Sequence, residues 1–327
     1  MTWIACSAER NDFLTPETGP VSKQETLKAI ALMGATGTGK SALAMKVAQS
    51  FKTCIVSCDS MQLYRGLDIG TAKPSAEERQ AVPHFMIDCA DLSETYSAAR
   101  WADEAAEWIA AENSAGRTPL IVGGTGMYLR ALIEGFADIP AENPEVREQL
   151  QTLQKEHGTA HLHAMLNDVD PVMAERLNEG DTQRIIRALG VFQSSGKPLS
   201  VWQAESHSAV RSIECPVIVL EVKRDILRER IAQRFDVMMD AGWLDETRWL
   251  DEQHLGEMHP ALRAVGYRQL LQHLHGECSL NEAVRDGVTA TRRYAKRQQT
   301  WFRNQTADAT FGDAKVCFDA ISKVLGK

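Results

Sequence analysis

The run Gly34-Ala35-Thr36-Gly37-Thr38-Gly39-Lys40-Ser41 has the spacing of a phosphate-binding loop, Gly-x4-Gly-Lys-Ser. Each residue type has a physical reason to be there. Glycines let backbone N–H groups close around oxyanions where a Cβ would intrude. Lys40 offers a point charge to the outer phosphates, and the Ser41 hydroxyl is placed for Mg²⁺. A helix starting at Lys40 would add its positive end to the same site. The apolar run Lys28–Met33 just ahead reads as a buried parallel strand, and Leu43 and Val47, four apart, open a helix face behind it. Hydrolases, kinases and other phosphate users share such a loop, so it establishes a site and not a reaction.

Asp59 follows the second predicted strand, Thr53–Ser57. A carboxylate at the carboxyl end of a parallel strand faces the crevice where α/β sheets bind ligands. There it can hold a metal, act as general base for an incoming nucleophile, or simply cap a turn. Gln62, three residues on, carries donor and acceptor groups suited to a base edge.

These residues carry a resemblance. The loop, followed by Asp59-Ser60-Met61-Gln62-x-Tyr64-Arg65-Gly66-Leu67-Asp68-Ile69-Gly70-Thr71-Ala72-Lys73-Pro74, resembles the tRNA dimethylallyltransferase family. Ile121–Tyr128, Gln183–Leu189, Gln233–Phe235, Arg263–Arg268 and Thr291–Gln298 match in the family's order, so the resemblance runs from about Ala29 to Arg303. It implies that the loop (Gly34, Ala35, Thr36, Gly37, Thr38, Gly39, Lys40, Ser41) holds the pyrophosphate of dimethylallyl diphosphate. It implies attack on that donor by the N6 amine of the adenosine beside a tRNA anticodon. Asp59 matches the family's general base, Arg234 an arginine at the reaction site, and Ser41 the metal-side hydroxyl. Lys40, Thr38 and Mg²⁺ would stabilise the leaving pyrophosphate. RNA contacts are implied at Asp59, Ser60, Met61 and Gln62, and at Gln183, Arg184, Ile185, Ile186 and Arg187. Further RNA contacts are implied at Arg263, Ala264, Val265, Gly266, Tyr267 and Arg268, with Thr125 and Arg147 as single positions. The lesser alternative for Arg184, Arg187, Arg234, Arg263 and Arg268 is a solvated helix charge. The chain departs from the family pattern at Ala35 (usually Pro), at Gly37-Thr38 (usually Ala-Ser) and at Ala264 (often Cys). It ends at Lys327 without the Cys/His extension of eukaryotic relatives, so a bacterial-type enzyme is expected.

Elements must position these groups. Further strands are predicted at Phe85–Ile87, Leu120–Val122 and Val217–Val222, with helix between them, notably Tyr96–Ala111. That alternation gives an α/β, doubly wound parallel sheet like that of P-loop NTPases. Past Phe136, with Pro140, Asn143 and Pro144 as punctuation, Glu145–Phe192 reads as helix alone, and Ser194–Pro198 closes the stretch. The expected plan is a flexible extension over 1–27, a core over 28–139 and an α-helical insertion domain gripping the tRNA over 140–205. Residues 206–327 complete the core and are mostly helical from Asp225 on.

Composition sets the remaining bounds. The 327 residues include 36 basic and 44 acidic ones, a formal charge of -8 that argues against indiscriminate polyanion binding. The charge is uneven, however. Arg285, Arg292, Arg293, Lys296, Arg297 and Arg303 share one stretch with the single acid Asp286, leaving 30 basic and 43 acidic residues elsewhere. Val284, Val288, Ala295 and Phe302 fall on one helical face, with Arg285, Arg292, Lys296 and Arg303 as a neighbouring stripe suited to phosphates, and Trp301 and Phe302 read as core. Seven cysteines without a Cys-x-x-Cys pair favour a reducing compartment, with Cys54 and Cys58 as small buried residues. No run is long enough to span a membrane, and Met1–Gln24 lacks the pattern of a signal peptide, so the cytoplasm is expected. The expected partners are the tRNA anticodon stem-loop and dimethylallyl diphosphate, with no membrane, for a monomeric chain. Three rivals remain: an adenylate isopentenyltransferase acting on free nucleotide, a P-loop kinase of small metabolites, and a non-catalytic RNA-binding protein.

Overall fold

The computed structural model describes residues 26–94, 96–135, 139, 143–205, 212–256 and 258–326. The expected extension up to residue 25, Cys6, and the predicted insertion boundaries at Pro140 and around 206 lie outside the described residues. Strands β1 (Leu27–Lys28), β2 (Ile30–Gly34), β3 (Ile55–Cys58), β4 (His84–Phe85), β5 (Leu120–Gly123), β6 (Ile213–Glu214), β7 (Val217–Leu220) and β8 (Thr310–Gly312) are all paired in parallel. Six form one sheet in the order β4-β3-β5-β2-β7-β8, and β1 pairs with β6 beside it.

The central strands are apolar along their whole length because helices cover both faces. Successive side chains of β2 point to opposite sides. Ile30 and Leu32 pack with Leu43 and Val47 of the helix Lys40–Phe51 and with Cys317 and Ile321 of the helix Ala314–Leu325. Ala31 and Met33 face the helices Ala98–Ser114 and Gly126–Glu134. Trp101, fully buried, anchors that second layer. Its indole N–H donates to the Ser57 carbonyl at 3.0 Å, and its ring stacks on Tyr128 with centroids 5.0 Å apart. Such an aromatic pair adds about 0.5–1.5 kcal/mol beyond the area it buries.

Five helices (Pro144–His157, Thr159–Val169, Pro171–Arg176, Thr182–Ser195 and Leu199–Glu205) build a second apolar centre around Leu150, Leu162, Leu166, Ile185, Ile186 and Leu189. Asp170 ties two of their starts together. It is 1% exposed, and its carboxylate accepts from the Met173 N–H at 3.1 Å and the Ser200 N–H at 2.9 Å.

The predicted helical tail is corrected at Thr310–Gly312, which forms β8 on the edge of β7, with Val219 opposite Phe311. Three residues with one large apolar side chain carry no readable period; the open edge of β7 supplies the pairing. The predicted strand at Phe85–Ile87 likewise stops early, because Met86 and Asp88 take positive φ values of 62° and 54°. Among the described residues, no helix is long and apolar enough to cross a membrane.

Candidate active site at the carboxyl ends of the strands

The phosphate loop joins β2 to the helix Lys40–Phe51. Gly39 makes the turn in the left-handed region, at φ 91°, and the helix has no side-chain cap, so its first N–H groups stay available. Two residues far along the chain hold the loop from outside. Gln298, buried on the helix Leu280–Gln305, accepts from the Thr36 N–H at 2.9 Å and donates to the Gly124 carbonyl at 2.9 Å. Arg230 donates to the Thr38 carbonyl at 3.0 Å. Lys40 reaches back toward the Ala35 carbonyl at 3.4 Å. Desolvation lowers its pKa to about 8, against the pull of nearby Asp59 and with the push of Arg234.

Two cavities open at this loop and share its Thr36. One, of about 400 Å³, is lined by Lys40, Ser41, Gln62 and Lys73. The other, of about 330 Å³, is lined by Met61, Phe235, Met238, Trp243, Tyr267 and Tyr294, with Arg263 and Arg297. Thr36, Asp59, Thr71 and Arg234 line both. The cavities therefore meet at a carboxylate and a guanidinium. Asp59 Oδ1 accepts from the Met61 N–H at 2.9 Å, which fixes the carboxylate at the start of its turn. Arg234 comes from the helix Arg224–Asp240; burial lowers its pKa while Asp59 raises it. Burial, with Asp59 close by, pushes the Tyr294 hydroxyl up to about 12, so it remains a donor at neutral pH. A phosphate-binding chamber and an aromatic chamber sharing one carboxylate can bring an electrophile carried on a phosphate to a nucleophile carried on a flat ring.

A groove of about 660 Å³ runs beside them between the helices Arg224–Asp240 and Leu280–Gln305. Lys223, Arg224 and Arg228 line one wall, and Arg292, Arg293, Lys296 and Arg303 the other. Among the described residues, only Arg303 of these is in a salt bridge, with Glu221 at 2.8 Å.

The model of the IPP transferase family matches residues 62–305. The tRNA dimethylallyltransferase of Azorhizobium caulinodans is 43% identical over 304 residues, covering 92% of this chain and 97% of its own. That of Syntrophobacter fumaroxidans is 42% identical over 301 residues, covering 92% and 88%. This chain belongs to the IPP transferase family. Solved structures agree: the tRNA isopentenylpyrophosphate transferase of Bacillus halodurans superposes with a TM-score of 0.64 at 34% identity, over 91% of this chain and 97% of that one. A eukaryotic dimethylallyltransferase acting on tRNA reaches 0.72 at 26% identity, over 88% and 74%.

In this IPP transferase family member the expected site residues fall into three groups. Thr36, Lys40, Ser41, Asp59, Ser60, Met61, Arg234, Arg263, Ala264, Val265 and Tyr267 converge on the two cavities. Thr125 lies next to them, its hydroxyl accepting from the Ser60 N–H at 3.2 Å. Gln62 also lines the phosphate-side cavity, but it and several others are committed to contacts within the protein or to the surface. Thr38 is buried, and its hydroxyl donates to the Ala35 carbonyl at 2.9 Å. The Gln62 amide is engaged within the protein, accepting from the Ser57 hydroxyl at 2.9 Å and donating to the carbonyls of Thr71 and Ala72, each at 3.2 Å. Gly266 starts the helix Tyr267–Leu274 at φ 96°, and Arg268 is exposed. The remaining group sits on the five-helix unit, where Arg147 donates to Gln183 at 3.4 Å and Arg184 is exposed beside Arg187. Ile185 and Ile186 correct the expected RNA surface: they are 0% and 2% exposed in the apolar centre of that unit, because burying them with Leu189 is what binds its helices together. Sequence patterning does not mark Gln298, Arg230, Trp243 or Tyr294 individually. Gln298 and Tyr294 do lie in the matched segment Thr291–Gln298, but contact with the loop arises only across 262 positions of chain in the case of Gln298.

Proposed function

We propose that this chain transfers the dimethylallyl group of dimethylallyl diphosphate to N6 of the adenosine next to the tRNA anticodon, releasing diphosphate. The observation that carries this reading is the shared boundary of the two cavities, at Asp59 and Arg234. The donor's diphosphate lies against the loop, Lys40 and Ser41, and the adenine enters among Met61, Phe235, Trp243 and Tyr267. A bond forms between N6 and C1 while the C1–O bond breaks, and its electron pair leaves with the diphosphate. Asp59 takes the proton that N6 sheds, and Arg234 and Lys40 meet the negative charge growing on the leaving group. The Ser41 hydroxyl, exposed at the helix start in a cavity that also holds the Asp59 carboxylate, provides oxygen chemistry fit for Mg²⁺. When bound there, Mg²⁺ neutralises part of the diphosphate charge.

An adenine stacked in an RNA loop must be drawn out to reach Asp59. The basic groove beside the aromatic cavity suits the RNA backbone, and the five-helix unit, with Arg147, Gln183, Arg184 and Arg187, suits the anticodon stem. A free nucleotide needs neither surface, which favours tRNA over AMP as acceptor. Labelled dimethylallyl diphosphate mixed with an anticodon stem-loop is expected to yield labelled RNA and diphosphate with no nucleotide added. Label on AMP but never on RNA refutes the tRNA reading, and phosphoryl transfer from ATP would point to a kinase.

A further inference from the structure

Gly70 of the turn Asp68–Gly70 lines the aromatic cavity together with Asp59, and one side chain from a distant helix holds the whole turn. Glu246, on the helix Trp243–Asp251, accepts at Oε2 from the N–H groups of Asp68 at 2.8 Å and Ile69 at 2.7 Å. Its Oε1 accepts from the Gly70 N–H at 2.9 Å and the Tyr267 hydroxyl at 2.5 Å. Burial and then Glu246 itself raise the Tyr267 pKa, so the phenol keeps its proton and donates. Among the described residues Glu246 makes no salt bridge; its partners are these four donors alone. At Gly70 the wall is closed to any side chain, since a Cβ would lie 2.1 Å from Trp243 Nε1 and 2.5 Å from Tyr267 Cζ. The turn continues into Thr71 and Ala72, whose carbonyls receive the Gln62 amide, and Ala72 is held at φ 48°. A residue with a Cβ stays in that region only when its neighbours over-determine it.

We propose that Glu246 is a positioning residue for the acceptor side of the reaction. Its carboxylate sets the Asp68–Gly70 turn against Tyr267, which fixes the width of the aromatic cavity, and acts through Thr71 and Gln62 on the turn that carries Asp59. The inference rests on the transfer reaction above and adds to it a residue that no phosphate, metal or RNA motif marks. A carboxylate is needed because all four neighbours are donors. Glu246→Gln keeps the volume but turns an amide NH₂ toward N–H groups, so at least one contact becomes donor against donor.

The test measures wild type, Glu246→Gln and Tyr267→Phe side by side. Calorimetry gives the dissociation constant for dimethylallyl diphosphate; steady-state and single-turnover assays give KM for the stem-loop and the transfer rate. Glu246→Gln should keep donor affinity within about twofold while transfer falls by about tenfold or more and KM for RNA rises, since small misplacements carry large rate costs. Tyr267→Phe, which leaves the three amide contacts, should lose less, and the double variant should lose less than the product of the two. Wild-type transfer and RNA KM in Glu246→Gln overturn the inference while the reaction stands. Donor affinity falling in step with transfer also overturns it, because the residue would then support the whole fold and not the acceptor side. A wild type that transfers no label overturns the reaction and the inference together.

Discussion

The cavity under the phosphate loop and the cavity under Trp243 share four residues, yet their walls are made differently. The first sets Lys40, Ser41 and the start of their helix against strand ends and polar turn residues, among them Ser57, Gln62, Lys73 and Glu78. The second draws on the Asp59 turn, Gly70, Thr71 and five separate helices, and presents the rings of Phe235, Trp243, Tyr267 and Tyr294 and the thioethers of Met61 and Met238 beside three arginines. A diphosphate is recognised by charge and by donors that every residue carries, so side chains in the loop can change without loss. That explains how Ala35 and Thr38 stand where relatives usually have other residues: Thr38 turns its hydroxyl inward onto Ala35. A flat base is recognised by the distance between two walls, and one added carbon is enough to fill it.

Four measurements can break or sharpen this contrast. The largest effect is expected at the boundary: Asp59→Ala should slow transfer at least ~10²-fold while donor affinity holds. Near-normal single-turnover rates would move the base role elsewhere. Next, Gly70→Ala should reduce transfer to RNA by about tenfold or more through Trp243 and Tyr267, with the donor dissociation constant unchanged. Equal losses for donor and RNA would mean that the two chambers are not separable.

On the donor side, pH is the probe. Lys40 titrates near 8, below its ordinary 10.5, so over that window the unfolded chain binds more protons than the native one, and this group makes stability rise with pH. Diphosphate prefers the charged amine, so donor affinity should fall by up to about tenfold per pH unit above 8, with proton uptake on binding. Calorimetry in two buffers of different ionisation enthalpy reads it; no uptake at pH 9 would remove Lys40 from the contact. The smallest effect is expected outside both cavities. Arg292→Ala with Lys296→Ala should weaken RNA binding and flatten its salt slope by about one or two, leaving chemistry on bound RNA intact. An unchanged slope returns the groove to an ordinary solvated surface.

The same contrast decided what could be read in advance. A site made of consecutive residues, Gly34 to Ser41, shows itself as a pattern, and the apolar runs of β2, β5 and β7 show the sheet that carries it. Of the basic groove, only the wall on Leu280–Gln305 is legible in the sequence. Lys223, Arg224 and Arg228 join it through packing of one helix on another. Ile185 and Ile186 lie inside a matched RNA segment, but a segment match does not say which side of a helix faces out; their burial with Leu189 does. Glu246 has no local signature, and Gln298, though it ends a matched segment, has none that ties it to the loop. One glutamate and one glutamine acquire their roles from partners 176 and 262 positions away.

Those long closures also bear on the order in which the protein comes into being. β2 lies between β5 and β7, with Ala31 opposite both Ile121 and Val217, and the Thr36 N–H bonds to Gln298. On a ribosome the loop is therefore synthesised before its flanking strand β7 and before the amide that steadies it, both of which follow the whole five-helix unit. Contacts of such sequence separation form slowly. The nascent chain should pass through a long interval in which the five-helix unit can already pack around Leu162 and Leu166 while the oldest segment of the site still waits for its neighbours.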